Sequence, residues 1–295
     1  MRSTAPPMQG QTKGHGGQQD DSVLDCRATF QHIAIGCTRL IECSRAAAIA
    51  GDPRAIHTMR IELTRLRAAA LFFSPMIRDA AWHWLRKELR WLNSALGSAR
   101  DDDVTVSYAK QKRYRGWVKK SREALIRARD RSHRSLSKKL NSARYERLMM
   151  ELGHWITNGG WQMNEFSSRS GRADVYSRSR LRDWRKRIVR DGRQLAAMRH
   201  QQLHRLRIRC KHYRYILVSL RDLDIPLAPE DLAFCDIVTQ VHQALGDLRD
   251  LGRLKDAAPG HPPGYRKSKR KFLEAAQHAL RCRPAVIGQR KTGRR

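Results

Sequence analysis

Histidine and basic side chains recur with the same spacing in two segments of the sequence. Each set has a His, an Arg three residues later and an Arg ten residues later. The sets are His57, Arg60 and Arg67 in the first segment and His204, Arg207, Lys211 and Arg214 in the second. On a helix of 3.6 residues per turn these positions lie on one face. Arginine donates paired hydrogen bonds to phosphate oxygens, lysine adds a compact charge, and histidine donates from one or two ring nitrogens. The spacing therefore predicts two helix faces that bind an anion.

The two segments belong to a longer internal repeat. Residues 57–67 align without gaps with residues 204–214, an offset of 147 positions. Residues 95–101 align with residues 244–250, an offset of 149 positions. Because both pairs keep the same order and nearly the same spacing, the sequence predicts two halves of similar architecture.

An apolar stripe lies beside each basic face. The stripes are Ile56, Met59, Leu63, Leu66 and Ala70 in the first half and Leu203, Leu206, Cys210, Tyr213 and Leu217 in the second. Each helix is therefore expected to bury one face and to present the basic one. The basic face covers ten residues, about 15 Å of helix axis, which suits a linear polyanion.

Apolar residues recur at helical spacing along almost the whole chain, and alternating β-branched runs are missing, so the sequence predicts an all-α fold. Glycine, proline and capping residues divide it into helices. The predicted helices cover about residues 21–50, 54–74, 79–97, 103–112, 116–140, 143–157, 175–191, 193–223, 230–251 and 265–280.

The same breaks predict the domain organisation. Residues 1–20 are expected to form a disordered leader and residues 283–295 a basic disordered tail. Residues 21–282 form one helical domain, with a first half at about 21–158 and a second half at about 175–282. Residues 266–295 hold 11 basic side chains and one acidic one, which predicts either an auxiliary polyanion clamp or a solvated segment.

The high positive net charge of the chain predicts a negatively charged binding partner. Sixty Lys and Arg against 28 Asp and Glu give +32, and residues 169–221 alone carry 17 basic and three acidic side chains. Nucleic acid, inorganic polyphosphate and an anionic membrane surface are the candidates. The longest apolar run, residues 68–73, is far shorter than the roughly 20 residues of a membrane span. Six scattered cysteines without a Cys-x-x-Cys pair argue against a zinc module or a disulfide framework, so we expect a soluble, cytoplasmic protein.

The paired H-x-x-R-x-x-x-(R/K)-x-x-R segments with trailing L-G-x-x-R-D elements resemble the CHAD family, the conserved histidine α-helical domain. The resemblance covers about residues 22–280. It implies two four-helix bundles related by a pseudo-twofold internal repeat, with long basic helices lining a central groove. It further implies binding of inorganic polyphosphate and location on polyphosphate granules. Thr64, His212 and Gly252 depart from the pattern, so the second half is expected to contribute more.

The repeat and the resemblance together select the candidate site. The predicted polyphosphate-binding residues are His57, Arg60, Arg65, Arg67, His204, Arg207, Lys211, His212 and Arg214. Possible auxiliary contacts are Arg100, Arg249, Arg199, Lys267, Arg270 and Lys271. Each histidine could instead be a satisfied residue at a helix interface. We expect binding to strengthen as the pH falls toward 6, because a polyanion favours protonated histidine.

The acidic residues near the motifs have two interpretations. Asp101, Asp102, Asp103 and Asp250 could hold Mg²⁺ or Ca²⁺ that bridges to phosphate. We favour a structural role in which they cap the next helix and pair with nearby arginines. No cofactor or resident metal is therefore predicted.

The sequence favours a binding protein over an enzyme. The segment His200 to His204 has zincin-like spacing, but Gln201 replaces the glutamate that would act as general base. A Walker A loop, the E-x-E-x-K motif of the CYTH barrels that often accompany CHAD domains, and a nucleophile beside a base in the motif helices are all missing. The main alternative is a nucleic-acid-binding protein that uses the same basic surface. Aromatic residues are only 7 % of the chain, although Trp84, Trp91 and Trp161 could be exposed for stacking.

Overall fold

The computed structural model describes residues 24–163 and 171–281, and within these ranges the chain is helical. The α-helices are α1 (Cys26–Cys43), α2 (Arg45–Ile49), α3 (Pro53–Phe72), α4 (Ser74–Ile77), α5 (Ala80–Ala109), α6 (Lys112–Arg115), α7 (Arg122–Leu140), α8 (Ala143–Asn158), α9 (Ala173–Gly192), α10 (His200–Arg221), α11 (Pro229–Asp256) and α12 (Tyr265–Arg281). Short 3-10 turns cover Lys119–Ser121, Gly160–Gln162 and Leu195–Ala197. The described ranges contain no β-strand, only one isolated bridge between Asp25 and Arg172. The predicted all-α fold is confirmed.

Aspartate side chains fix where the helices of the first half begin. Asp25 accepts a hydrogen bond from the backbone N–H of Ala28 at 2.6 Å, at the start of α1. Asp52 caps α3 through the N–H of Arg54 at 2.9 Å, and proline follows it at the first helical position. Asp79 caps α5 in the same way. These caps satisfy N–H groups that the helix itself leaves unpaired, so the start of the basic helix α3 is well defined.

The prediction of a helix end at Gly97 and a new start at Asp103 is wrong, because α5 runs without a break from Ala80 to Ala109. A Cβ at Gly97 would meet no atom within 4 Å, so this glycine marks no close approach. A glycine inside a helix costs only about 1 kcal/mol. Packing of α5 against α3, α7, α8 and α11 outweighs that cost.

Three further predicted helices are shorter than expected. The helix predicted at residues 116–140 begins only at Arg122, after the 3-10 turn Lys119–Ser121. The first helix stops at Cys43, and a short helix Arg45–Ile49 follows it. The helix predicted from residue 193 begins only at His200, because Leu195–Ala197 forms a 3-10 turn and Met198 is extended. Leu195 is fully buried, so tertiary packing holds this turn away from the helical path.

The long helices fall into two packing groups. In the first, α1 packs on α3 and α8, and α5 packs on α3 and α8; in the second, α9, α10, α11 and α12 pack on one another. The groups meet where α3 contacts α10 and α5 contacts α11, and one hydrophobic core extends through both. The pseudo-twofold relation of the halves stays a prediction. The predicted leader and tail lie outside the described residues, and no helix within the described ranges is long and apolar enough to cross a bilayer.

Candidate polyanion-binding site

The two basic helices meet at equivalent positions of the repeat. Lys211 Nζ donates a hydrogen bond to Thr64 Oγ1 at 3.1 Å, across the contact between α10 and α3. These two residues occupy the same place in the aligned segments, 147 positions apart. A twofold axis that passed between the two helices would bring equivalent positions such as these together. The departure from the basic pattern at Thr64 therefore supplies the hydroxyl that positions Lys211.

This contact brings basic groups from three helices together. Burial and the charges of Arg100, Arg60 and Lys211 lower the pKa of His57. Burial and the charges of Arg249 and Arg207 lower the pKa of His204. We call the following six residues the central cationic cluster: His57 and Arg60 on α3, His204, Arg207 and Lys211 on α10, and Arg249 on α11.

One buried carboxylate organises the arginines of this cluster. Asp101 on α5 accepts from Arg60 at 3.2 Å and from Arg249 at 2.8 Å, and it lies 2.6 Å from Arg253. Its side chain is only 9 % exposed. The predicted pairing of Asp101 with arginine is confirmed, but the predicted capping role is wrong because Asp101 lies inside α5. Sequence reasoning missed Arg253, although its position four residues after Arg249 places both on one helix face.

Asp103 has a separate structural role. Its Oδ1 accepts from Arg129 Nε at 2.8 Å and lies 2.9 Å from His133 Nε2, and both partners are on α7. This buried pairing joins α5 to α7 and leaves Asp103 turned away from the cluster. No group of three or more His, Cys, Asp or Glu residues in the described ranges is arranged to hold a metal ion.

The cluster concentrates like charges in a partly buried place. Burial, followed by the charges of Arg60 and Arg207, lowers the pKa of Lys211 to about 7. Burial and the charge of Arg249 also lower the pKa of Arg207, whose Nε is buried without a hydrogen-bond partner among the described residues. A buried donor without a partner costs about 1–3 kcal/mol. An anion placed here would relieve both the repulsion and the missing hydrogen bond.

Two adjoining cavities open onto the cluster. The larger, of about 870 Å³, is lined by basic residues that include His200, His204, Arg205, Arg249 and Arg253, and by the carboxylates of Asp102 and Asp256. The second, of about 290 Å³, is lined by residues that include His200, His204, Arg207, Arg249 and Lys269. Because four residues line both cavities, the two spaces adjoin along the face of α10. We call this combined space the central cavity.

The structure places three of the predicted contacts outside the cluster. Arg65 donates to Ser219 Oγ at 3.3 Å and to Asp222 Oδ2 at 3.1 Å, so its guanidinium joins α3 to the C-terminal end of α10. His212 lines a small separate pocket with Leu71 and other residues, and burial lowers its pKa to about 4. The pKa of Arg67 is lowered by burial and by Arg90 and Arg86 of α5, which are its basic neighbours.

The remaining predicted residues are distributed around the cluster. Arg214 lies 5.1 Å from the ring centre of Tyr215, and its charge acts on Lys211. Arg100 on α5 contributes, after burial, to the lowered pKa of His57. Arg199 is exposed at the N-terminus of α10. The predicted contacts on α12 lie further away: Lys267 and Lys271 line a different pocket, and exposed Arg270 lies 3.6 Å from Glu274.

The three tryptophans considered for stacking do not line the central cavity, although Tyr265 does. Trp161 is fully buried, and its indole N–H donates to the carbonyl of Trp155 at 2.8 Å, so the expectation that it could be exposed is wrong. Trp84 and Trp91 are partly buried, with the guanidinium groups of Arg147 and Arg144 5.3 and 4.3 Å from their ring centres. Base recognition by stacking on these rings is therefore not favoured.

Comparison with known proteins gives consistent matches. The family model of the CHAD domain matches residues 32–258. The crystal structure of the CHAD domain from the plant Ricinus communis superposes with a TM-score of 0.70 at 22 % identity, covering 92 % of this chain and 99 % of that one. PptA from Streptomyces chartreusis superposes with a TM-score of 0.56 at 14 % identity, covering 87 % and 95 %. A search of curated proteins finds no match. Because the sequence identities are only 22 % and 14 %, the structural likeness supports the fold alone.

Proposed function

Because the chain belongs to the CHAD domain family, we propose that it binds inorganic polyphosphate in the central cationic cluster without cleaving it. The polyphosphate chain lies along α10 in the central cavity and contacts both halves where α3 meets α10. The protein thereby associates with polyphosphate granules in the cytoplasm.

The observation that carries this proposal is the excess of positive charge in the cluster. Three arginines and a lysine from three helices lie close enough to lower one another's pKa or that of a neighbouring group, and burial adds to the effect. Asp250 and Asp101 are the acidic groups that act on Arg207, and Asp102 and Asp256 line the larger cavity. Asp250 is itself partly buried, and burial raises its pKa. A polyanion with one charge per phosphate adds to the compensation that these carboxylates give the basic side chains.

The side chains of the cluster are suited to hold phosphate rather than to attack it. Arg60, Arg207 and Arg249 donate hydrogen bonds and cannot act as general bases at neutral pH. The carboxylate of Asp101 is already engaged by three guanidinium groups. His57, His204 and Lys211 can take up a proton near neutral pH, so the proposal of binding without cleavage rests on the missing Walker A, E-x-E-x-K and nucleophile motifs of the sequence.

Neutralising one arginine in each half tests the proposal. Arg60→Gln with Arg207→Gln removes two charge-assisted contacts, each worth about 1.5–3 kcal/mol, so affinity for long-chain polyphosphate should fall about 100-fold or more. The matched control is Arg178→Gln with Arg182→Gln, two exposed arginines on α9. Titration with labelled polyphosphate, after a thermal melt confirms folding, gives the readout. Equal affinity of the two double variants would refute the proposed site, and phosphate release by the wild type would refute the absence of cleavage.

A further inference from the structure

A second basic pocket lies beside the central cavity, in a part of the chain where the sequence motifs indicate no site. It has a volume of about 580 Å³ and forms where α5, α6 and α7 meet. Its lining residues include five cations and no carboxylate. The cations are Lys110, Lys112, Arg115, Lys119 and Arg122. We call this space the lateral pocket.

The five cations of the lateral pocket have no acidic partner in the described part of the chain. The acidic residue nearest in sequence, Glu123, pairs instead with Arg127 at 3.3 Å. All five side chains are exposed. A cavity walled by unpaired positive charge is an anion site with its donors still available.

The wall of the lateral pocket is fixed to α11. Tyr114 and Val118 are fully buried in a small hydrophobic cluster with Leu254 and Ala258. The indole N–H of Trp117 donates to the carbonyl of Pro259 at 3.1 Å. The pocket is therefore held by packing against the helix that carries Arg249 and Arg253, which places it at a defined position relative to the central cationic cluster.

The lateral pocket and the central cavity share a wall. Leu125 of α7 lines both spaces. On α5, Thr105 lines the central cavity and the next residue, Val106, lines the lateral pocket. From Asp101 to Lys110 the helix advances nine residues, or about 14 Å. A flexible linear polyanion can pass from one space to the other over this short distance.

We propose that the lateral pocket holds the continuation of a polyphosphate chain whose other part lies in the central cationic cluster. This inference rests on the proposed function and adds a second contact region to it. Three of the five cations in the lateral pocket are lysines. A lysine ammonium group is a compact charge on a flexible side chain, and it does not donate the two parallel hydrogen bonds that an arginine can. The pocket therefore holds phosphates without a fixed register and favours long chains over short ones. Tripolyphosphate is too short to occupy both spaces.

The test compares long-chain polyphosphate with tripolyphosphate. The variant is Lys110→Gln, Lys112→Gln and Lys119→Gln, which removes three charges from the lateral pocket. Its affinity for long chains should fall about tenfold, and the slope of log affinity against log salt concentration should decrease by about two, at about 0.7 for each lost contact. Its affinity for tripolyphosphate should match that of the wild type.

A matched variant separates this effect from a general loss of charge. Lys87→Gln, Lys138→Gln and Lys186→Gln removes three exposed lysines that line neither space. Equal effects of the two triple variants on long-chain binding would overturn the lateral pocket while leaving the proposed function intact. Loss of affinity for single-stranded RNA but not for polyphosphate would also overturn it and assign the pocket to nucleic acid. If the wild-type protein bound neither long-chain polyphosphate nor tripolyphosphate, the proposed function itself would be contradicted.

Discussion

Asp101 positions the arginines of the site, because its one buried carboxylate contacts arginines on two helices. Its partners Arg60, Arg249 and Arg253 come from both halves of the chain. A carboxylate in this position lowers the repulsion among the arginines and holds their guanidinium groups in place before a ligand arrives. Asp101 thus acts as a positioning residue for the cluster.

Neutralising Asp101 should destabilise the free protein more than the complex. Asp101→Asn leaves three arginines without their shared carboxylate, and removal of one partner from a buried ion pair costs about 3–5 kcal/mol. A bound polyanion replaces the lost charge, so polyphosphate should raise the melting temperature of the variant by more than it raises that of the wild type. Asp183→Asn is the control, since Asp183 is exposed on α9 and does not line the central cavity. Equal unfolding free energies for the wild type and Asp101→Asn would contradict the role assigned to Asp101.

Lys211 gives the free protein a defined pH dependence. Burial and the neighbouring arginines lower its pKa from the ordinary 10.5 to about 7. Between these values the unfolded chain holds the proton and the folded chain does not, so the unfolding free energy rises with pH across that window. Below about pH 7 both states are protonated, and the full cost of burying the charge remains.

Polyphosphate binding should reverse this shift and so become pH-dependent. A bound polyanion returns the pKa of Lys211 toward its ordinary value, and affinity therefore increases as the pH falls from about 9 to 7. The lowered pKa values of His57 and His204 extend the increase toward pH 6. Lys211→Arg keeps the positive charge but does not titrate in this range, so the affinity of this variant should change little between pH 7 and pH 9. The double variant His57→Gln with His204→Gln should lose the increase in affinity near pH 6. Titrations across this range check both, and unchanged profiles would refute the assignment.

At the scale of elements, α5 links the site to the rest of the fold. Its continuous path places Asp101 toward α3 and α11, and Asp103 toward α7. If the helix ended at Gly97, as the sequence predicted, these two carboxylates would not lie on one rigid element. The length of α5 is therefore a condition for the geometry of the cluster.

Replacing Gly97 tests the continuity of α5. Because a Cβ there would meet no neighbour within 4 Å, Gly97→Ala should raise the unfolding free energy by about 0.5–1 kcal/mol and leave polyphosphate affinity unchanged. Gly51→Ala provides the contrast, since Gly51 has a φ of +88° and an alanine there is strained. Denaturant unfolding measures both. A destabilised Gly97→Ala would mean that the chain needs glycine freedom at this position and that α5 is broken there.

The sequence predicted the basic helices well because their pattern is local and repeated. The His and Arg spacing indicated one face on α3 and one on α10, and both helices form. The roles of Arg65 and His212 could not be predicted, because their partners at Ser219 and Leu71 are distant in sequence. The lateral pocket was missed for a similar reason. It is formed by short turns without periodicity, and its position depends on the packing of Tyr114 against α11.

At the scale of the whole molecule, the charge of +32 is not spread evenly. The packing of α3 on α10 and of α5 on α11 concentrates part of it in the central cationic cluster. Undirected charge would bind any polyanion by counterion release and would lose affinity steeply with salt. A shaped site adds paired hydrogen bonds that salt weakens less. We propose that the central cationic cluster binds polyphosphate as a shaped site.

One competition titration tests this claim most directly. Labelled long-chain polyphosphate on the purified protein is challenged with duplex DNA and with single-stranded RNA at about 0.15 M and then about 0.5 M salt, where non-specific phosphate contacts are strongly weakened. Polyphosphate binding should survive at the higher salt while both nucleic acids lose their ability to compete. Equal loss of all three ligands would contradict a shaped site, because the basic helices would then act as undirected charge.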